Sequence, residues 1–144
     1  MLIDNYQTNS ATRALTLMRL TTKPCQANPT DIILHQLSNS LEIHFDDGKV
    51  FHLPCEYLRV YTPSAEALGH GPGQEILQVG KEDVGITEIR PVGNYGITPV
   101  FTDGHQSGIY TWDLLYQLGN EYSTLWANYL HELAHAGHQR KKSQ

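Results

Sequence analysis

Apolar and polar residues change period several times along this chain, and each change marks an element. Leu41, Ile43 and Phe45 alternate with Glu42 and His44, the period of a strand with one buried face. Asp46-Asp47-Gly48 follows; Asp-Gly is a strong hairpin signal, expected here with positive φ at both central positions. Val50 to Leu53 completes the hairpin, with Phe51 and Leu53 on one face. Pro54 suits the first turn of a helix, where its missing N–H is no loss, and Cys55 to Tyr61 then makes one or two helical turns with Leu58 inward. Upstream, Ile32, Ile33, Leu34 and Leu37 predict a first strand over Asp31–Leu37, ended by a Ser38-Asn39-Ser40 turn.

The second half echoes the first. Thr62 to Gly73 is a loop rich in Pro, Gly and Ser, and Gln74–Val79 is expected as a strand. The β-branched content of Gly85–Val92 and the Gly93-Asn94 turn after it predict another strand, with Gly96–Phe101 pairing back. Asp103-Gly104 repeats the hairpin signal. Aligning Phe45-Asp46-Asp47-Gly48 with Phe101-Thr102-Asp103-Gly104 sets Leu53 over Ile109 and Leu58 over Leu114. Thr111 is the expected N-cap of a helix from Trp112 to Leu118, with Gly119 stopping it as C′. A last helix runs from Tyr122 to Ala136, its core stripe formed by Tyr122, Leu125, Trp126, Tyr129, Leu130 and Leu133. Gly137 and the basic run Arg140-Lys141-Lys142 close it, since cations suit a helix C-terminus. Trp112 and Trp126 read as core residues. The expected fold is α+β: mostly antiparallel sheet built from two strand-turn-strand-helix modules on one core, with a C-terminal amphipathic helix.

The 144 residues are the size of one ordinary domain, and a 40% hydrophobic content supplies one core. Residues 1–30 read as a weakly ordered N-terminal arm, with a helical stretch over Ala11–Leu20. Its Arg, Ser and Thr content resembles a transit peptide only faintly. Asn28-Pro29-Thr30 marks where the domain starts; residues 119–144 form a C-terminal helix and basic tail. A net charge of -5 argues against a nucleic-acid surface, which needs a clustered basic face. No apolar run reaches the roughly 18 residues that span a bilayer. Two cysteines, Cys25 and Cys55, fit reduced thiols in a cytoplasmic protein better than a disulfide framework.

His131-Glu132-Leu133-Ala134-His135 is a literal His-Glu-x-x-His, the spacing that puts two zinc-binding imidazoles and a general base on one helix. At about 100° per residue, however, the stripe centres on Leu133 and Tyr129, so His131, His135 and His138 face water. Zincin patterns also draw a third ligand from farther downstream than Gln144 allows. The motif therefore reads as fortuitous, with adventitious surface chelation by His131 and His135 only. A zinc hydrolase is the last of the alternatives, and no enzyme activity is expected.

Elsewhere there is no phosphate-binding glycine loop and no nucleophile elbow. His70 lies between two glycines, and His105 follows Asp103-Gly104 at a hairpin tip. Arg59, Glu66, Arg90 and Asp103 are charged residues able to pair across the two modules. The face expected to bind is built by the Thr62–Gly73 loop and the Asp103–Ser107 turn. Its candidate residues are Arg59, Ser64, Glu66, His70, Asp103 and His105.

Five stretches carry a resemblance: Tyr57-Leu58-Arg59; Pro63-Ser64-Ala65-Glu66; Gly69-His70-Gly71-Pro72; Arg90-Pro91-Val92-Gly93-Asn94-Tyr95; and Phe101 through Trp112, read FTDGHQSGIYTW. Over residues 31–118 the chain resembles the gamma-butyrobetaine hydroxylase-like N-terminal domain family, whose small bacterial members have no assigned function. The resemblance implies an α+β domain of mostly antiparallel strands. In the hydroxylases this domain precedes an iron and 2-oxoglutarate catalytic domain and carries a zinc held by three Cys and one His, the His in a position like His105. Here Val60–Leu68 contains no cysteine, so neither that zinc nor oxygenase chemistry is carried over. Related domains fused to iron–sulfur carrier ATPases imply an accessory role in metal handling. The expected function is a small non-catalytic module binding an unknown protein partner or small ligand, with no nucleic acid, membrane or cofactor. The alternative is a metal or iron–sulfur accessory protein using zinc or iron at His70, His105 and Cys55.

Overall fold

The computed structural model describes residues 27–64 and 77–140. Its elements are β1 (Pro29–His35), β2 (Ser40–Phe45), β3 (Val50–Pro54), α1 (Cys55–Val60), β4 (Ile86–Val92), β5 (Gly96–Phe101), β6 (Tyr110–Thr111), α2 (Trp112–Asn120) and α3 (Tyr122–His135). Two three-stranded antiparallel sheets form, in the orders β1-β2-β3 and β4-β5-β6. The fold is α+β, as the alternation of strand and helix signals implies.

The two modules match bond by bond. Gly48 and Gly104 each donate to a phenylalanine carbonyl, Phe45 and Phe101, at 3.0 Å, and both glycines have φ +92°. Asp47 Oδ1 accepts from Lys49 N at 3.0 Å, and Asp103 Oδ1 from His105 N at 3.2 Å. Asp46 N donates to Asn28 O, and Thr102 N to Gly85 O, each at 2.9 Å. Their side chains return the bond, Asp46 Oδ1 accepting from Asn28 N and Thr102 Oγ1 from Gly85 N. Even the strand irregularities coincide, between Pro29 and Asp31 in β1 and between Ile86 and Glu88 in β4.

These turns differ from the expected hairpin type. Neither Asp47 nor Asp103 has positive φ; only the glycine does. That is the longer hairpin loop in which a left-handed glycine re-enters the strand as a bulge. The alignment also slips by one residue after the second turn. Leu53 pairs with Leu41, whereas Ile97 pairs with Tyr110, so Tyr110 replaces Leu53 and Ile109 is left 45% exposed. Cys55 N bonds Asn39 O where Trp112 N bonds Tyr95 O, which makes Leu115 the counterpart of Leu58.

One core serves both modules. Leu41, Ile43, Phe45 and Leu53 of the first sheet share it with Ile86, Ile97, Phe101 and Tyr110 of the second, and α2 and α3 add Leu114, Leu115, Leu118, Leu125, Tyr129 and Leu133. α1 is buried along its whole length, not by Leu58 alone. Buried tyrosines stitch these layers through backbone carbonyls: Tyr57 donates to Leu118 O (2.6 Å), Tyr61 to Leu125 O (2.8 Å) and Tyr110 to Leu58 O (2.5 Å). Each buried phenolic hydroxyl thereby finds its own acceptor.

Other expectations change at the element ends. β1 stops at His35, and Leu37 lies fully exposed in the turn. Residues 77–79 are not strand, and 74–76 lie outside the described residues. Thr111 caps α2 as expected, its hydroxyl accepting from Leu114 N at 3.1 Å. Gly119, however, does not stop that helix; α2 continues to Asn120. Its role is close approach: a Cβ there would lie 2.4 Å from the Phe51 ring. Leu130 leaves the core stripe at 39% exposure, and Trp112 and Trp126 are half-buried against the core rather than within it. α3 ends as its glycine suggests. Gly137 takes φ +83°, with His138 N bonded to Leu133 O and Gly137 N to Ala134 O, a Schellman pattern. Of the arm expected over residues 1–30, residues 1–26, with Ala11–Leu20 and Cys25, lie outside the described residues, whereas Pro29 and Thr30 open β1 rather than belong to an arm.

Candidate functional site

α1 carries two charged residues into the interior, and each is answered from a distant part of the chain. Arg59 has a side chain 9% exposed. Its Nε donates to Asp103 Oδ2 at 3.0 Å and its Nη1 to Gln78 Oε1 at 3.0 Å. Asp103 stands in the turn after β5, and Lys81 Nζ reaches the same Oδ2 at 2.7 Å. Burial works against ionisation of Asp103. The Lys81 ammonium, the His105 backbone N–H and the Arg59 charge outweigh it and hold the carboxyl down to about 2. Of the four charged residues expected to be able to pair across the modules, Arg59 and Asp103 do so. Arg90 does not join them; it bonds Glu88 on its own strand and Gln106.

Beside this pair runs a second polar row. Thr62 Oγ1 lies 3.0 Å from His105 Nε2 and accepts from Ser64 N at 3.3 Å. Ser64 Oγ and Ser107 Oγ are 2.7 Å apart. Gly108 packs so closely that a Cβ would sit 2.5 Å from Thr62 Oγ1, so no other residue fits without displacing that hydroxyl. Arg59, Ser64, Asp103 and His105 are thus brought together. Thr62 and Ser107, which lie in the two expected segments but were not singled out, belong with them, as do Gln78 and Lys81, which were not anticipated. Glu66 and His70 lie outside the described residues.

Cys55 is fully buried, and burial pushes its thiol up to about 11. It is a neutral thiol, whereas metal ligation needs the thiolate. On α3, His131 and His135 are exposed, while Glu132 between them is buried at 6% exposure. The Glu of the motif therefore turns to the protein and its imidazoles to solvent.

The comparisons with known proteins bear on these same segments. A family model described as gamma-butyrobetaine hydroxylase-like, N-terminal, matches residues 32–116. The chain belongs to that family. Two solution structures determined by NMR are 43% and 45% identical to it, each with a TM-score of 0.70 over 82% of this chain and 93% and 89% of theirs. A crystal structure from Acidithiobacillus ferrooxidans, a protein of unknown function in the DUF971 family, is 36% identical. It has a TM-score of 0.54 over 64% of this chain and 92% of that one. No curated protein matches. The zinc that the family resemblance implies in the hydroxylases does not fit the donors here. No cysteine occupies 60–68, and the imidazole of His105 is engaged by Thr62. A structural zinc needs four N or S ligands. Among the described residues no helix is long and apolar enough to cross a membrane.

Proposed function

We propose that this member of the gamma-butyrobetaine hydroxylase-like N-terminal family is a non-catalytic binding module. Its contact surface is the rim formed by the exposed Asp103–Ser107 turn, seated on the buried Thr62 and Ser64. The supporting observation is the pair of buried Arg59 with Asp103 of the turn, with Lys81 on the same carboxylate oxygen. It holds an exposed turn on a rigid base, and recognition groups are most selective when packing and hydrogen bonds lock them. The turn offers the Ser107 hydroxyl, the Gln106 amide and the part-exposed His105 imidazole, polar groups that suit a polar peptide segment of a protein partner or a small neutral ligand. The unknown function of the DUF971 crystal structure is in keeping with an unassigned module. A metal-handling role through His70, His105 and Cys55 has less support, since Cys55 is a buried neutral thiol and His105 is bonded to Thr62. Hydrolysis at His131 and His135 has less still, because the intervening Glu132 is buried.

Affinity capture with the full chain tests the reading. A partner retained by the native protein should be lost by His105→Ala and by Ser107→Arg, with amide spectra showing the fold intact, and kept by a His131→Ala/His135→Ala variant. Retention unchanged by both rim variants would overturn it.

A further inference from the structure

The two modules each end in an edge strand, β1 and β4, and only β4 is blocked. Among the described residues β1 pairs only with β2, and β4 only with β5. Pro91 and Pro99 lack an N–H, so the bonded rungs of β4–β5 are Glu88, Arg90 and Val92 with Val100, Thr98 and Gly96. Ile89 and Pro91 therefore turn their backbone polar groups to the outer edge, where Pro91 has no donor to offer. In the first sheet Phe45 N bonds Lys49 O and Cys55 N bonds Asn39 O, so alternate residues from Asn39 to Phe45 aim at β3. Ser40, Glu42 and His44 aim at β1, where they take the backbone groups of His35, Ile33 and Asp31. Ile32 and Leu34 are left with both N–H and C=O directed at the outer edge. The matched registers put Leu34 where β4 has Pro91, and Ile33 where β4 has Arg90. An edge with its donors intact and apolar side chains along it is a template for another strand.

We propose that β1 is the contact strand of a homodimer. Two copies of the chain pair β1 with β1, antiparallel, about a two-fold axis at Ile33, which joins their first sheets into one. Asp31-Ile32-Ile33-Leu34-His35 is complementary to itself in that register. Ile32 stands opposite Leu34 of the second copy and Leu34 opposite its Ile32, so every outward N–H and C=O of these residues finds a partner. Their side chains share the inner face, because β2 sets Ile43 and Leu41 beside them, and both are half-buried against the core. Pairing covers the apolar surface that remains. On the outer face Ile33 meets Ile33, and Asp31 meets His35 on either side of the axis. Asp31 is exposed. His35 Nε2 lies 2.7 Å from Glu42 Oε1, a carboxylate that His44 and His52 also approach, and the imidazole keeps Nδ1 for the second Asp31. Opposed unlike charges favour a cross-strand pair. A slip by one residue would turn the apolar pairs to the wrong face, and a parallel arrangement would set Asp31 against Asp31. The charge pattern thus selects a second copy of this chain over an arbitrary strand, and a two-fold axis makes such a contact close on itself.

Sedimentation of the untagged full chain over a concentration series tests this, with chelator present so that no ion bridges surface imidazoles. The expected result is a monomer–dimer equilibrium with Kd below about 1 mM. The amides of Ile32 and Leu34 should exchange more slowly with solvent as the concentration rises. Leu34→Pro removes an outward donor, and Ile33→Arg opposes two guanidinium groups on the axis. Both copy what β4 carries at the same positions, so the fold should survive them, and each should weaken the dimer about tenfold or more. A chain that stays monomeric up to about 1 mM overturns the proposal. So does a dimer that Ile33→Arg leaves unchanged, since its contact would then lie on another face. Should Leu34→Pro unfold the protein, Ile33→Arg decides alone.

Discussion

Asp103 accepts from Arg59, from Lys81 and from the backbone of His105, and each contact comes from a different place in the chain. Its carboxyl, held near 2 against an ordinary 3.8, links folding to acid. Because the folded value is depressed, the stabilisation is complete above the ordinary value and disappears as pH falls from about 4 through about 2. Asp103→Asn should therefore cost about 1–2 kcal/mol at neutral pH, with the deficit shrinking to nearly nothing near pH 2. Urea unfolding of both proteins at several pH values measures this. Glu42 and Asp47, also held low by their partners, titrate in both proteins, so the difference between the two curves isolates Asp103. A deficit that stays constant down to pH 2 would show that the turn, not the charge, carries the effect. At this scale the chain was half legible. That Arg59 and Asp103 were two of four charged residues able to pair across the modules was readable; Lys81 and Gln78 were not, because they come from a stretch with no periodic signal.

α1 has only six residues, yet it organises the elements around it. A helix this short is not stable by propensity, so it forms because every side of it is packed. Burial all round requires its charges to be answered. Glu56, 8% exposed, is held by Arg140 in a bidentate pair at 2.9 and 2.6 Å, and the guanidinium also lies 5.4 Å from the Trp126 ring centroid. The residues after α3 are thus not just a basic cap on a helix end, as the local pattern suggests. The left-handed Gly137 turns the chain so that Arg140 reaches α1. Arg140→Ala should destabilise the protein by about 2–3 kcal/mol, since it leaves Glu56 buried without a partner. Glu56→Gln/Arg140→Ala should recover part of the loss, an outcome that thermal unfolding of the three variants can check. If the double variant is no more stable than Arg140→Ala, the pair is not coupled as the geometry indicates. The tail's destination was not legible because an Arg at a helix end satisfies local rules equally well in water.

At the scale of the molecule, the two modules are copies in hydrogen bonding but not separate bodies. Their inward faces meet in one cluster, and α1 and the residue that caps it bond into α2 and α3 through Tyr57 and Tyr61. Neither sheet has enough apolar partners of its own to stand alone. Amides of Ile43 in β2 and Ile97 in β5 should therefore exchange with solvent at one shared opening free energy, equal to that of global unfolding. Native-state hydrogen exchange reads this directly; a lower value for either sheet would mean that the modules open independently.

The first hairpin, the β4–β5 pair, the repeated Asp-Gly turn, the two last helices and most of the inward face of α3 follow from the chain alone. Their signals are local: alternation, a glycine at a turn, a stripe at helical spacing. What tertiary structure alone decided is non-local. The one-residue slip that exchanges Ile109 for Tyr110 came from loop length. The close approach of Gly119 to Phe51, the return of Arg140 to Glu56, and the meeting of His35, His44 and His52 on Glu42 came from register and packing. Such contacts join residues far apart in sequence, and no local period records which of several equally suitable partners a side chain will meet.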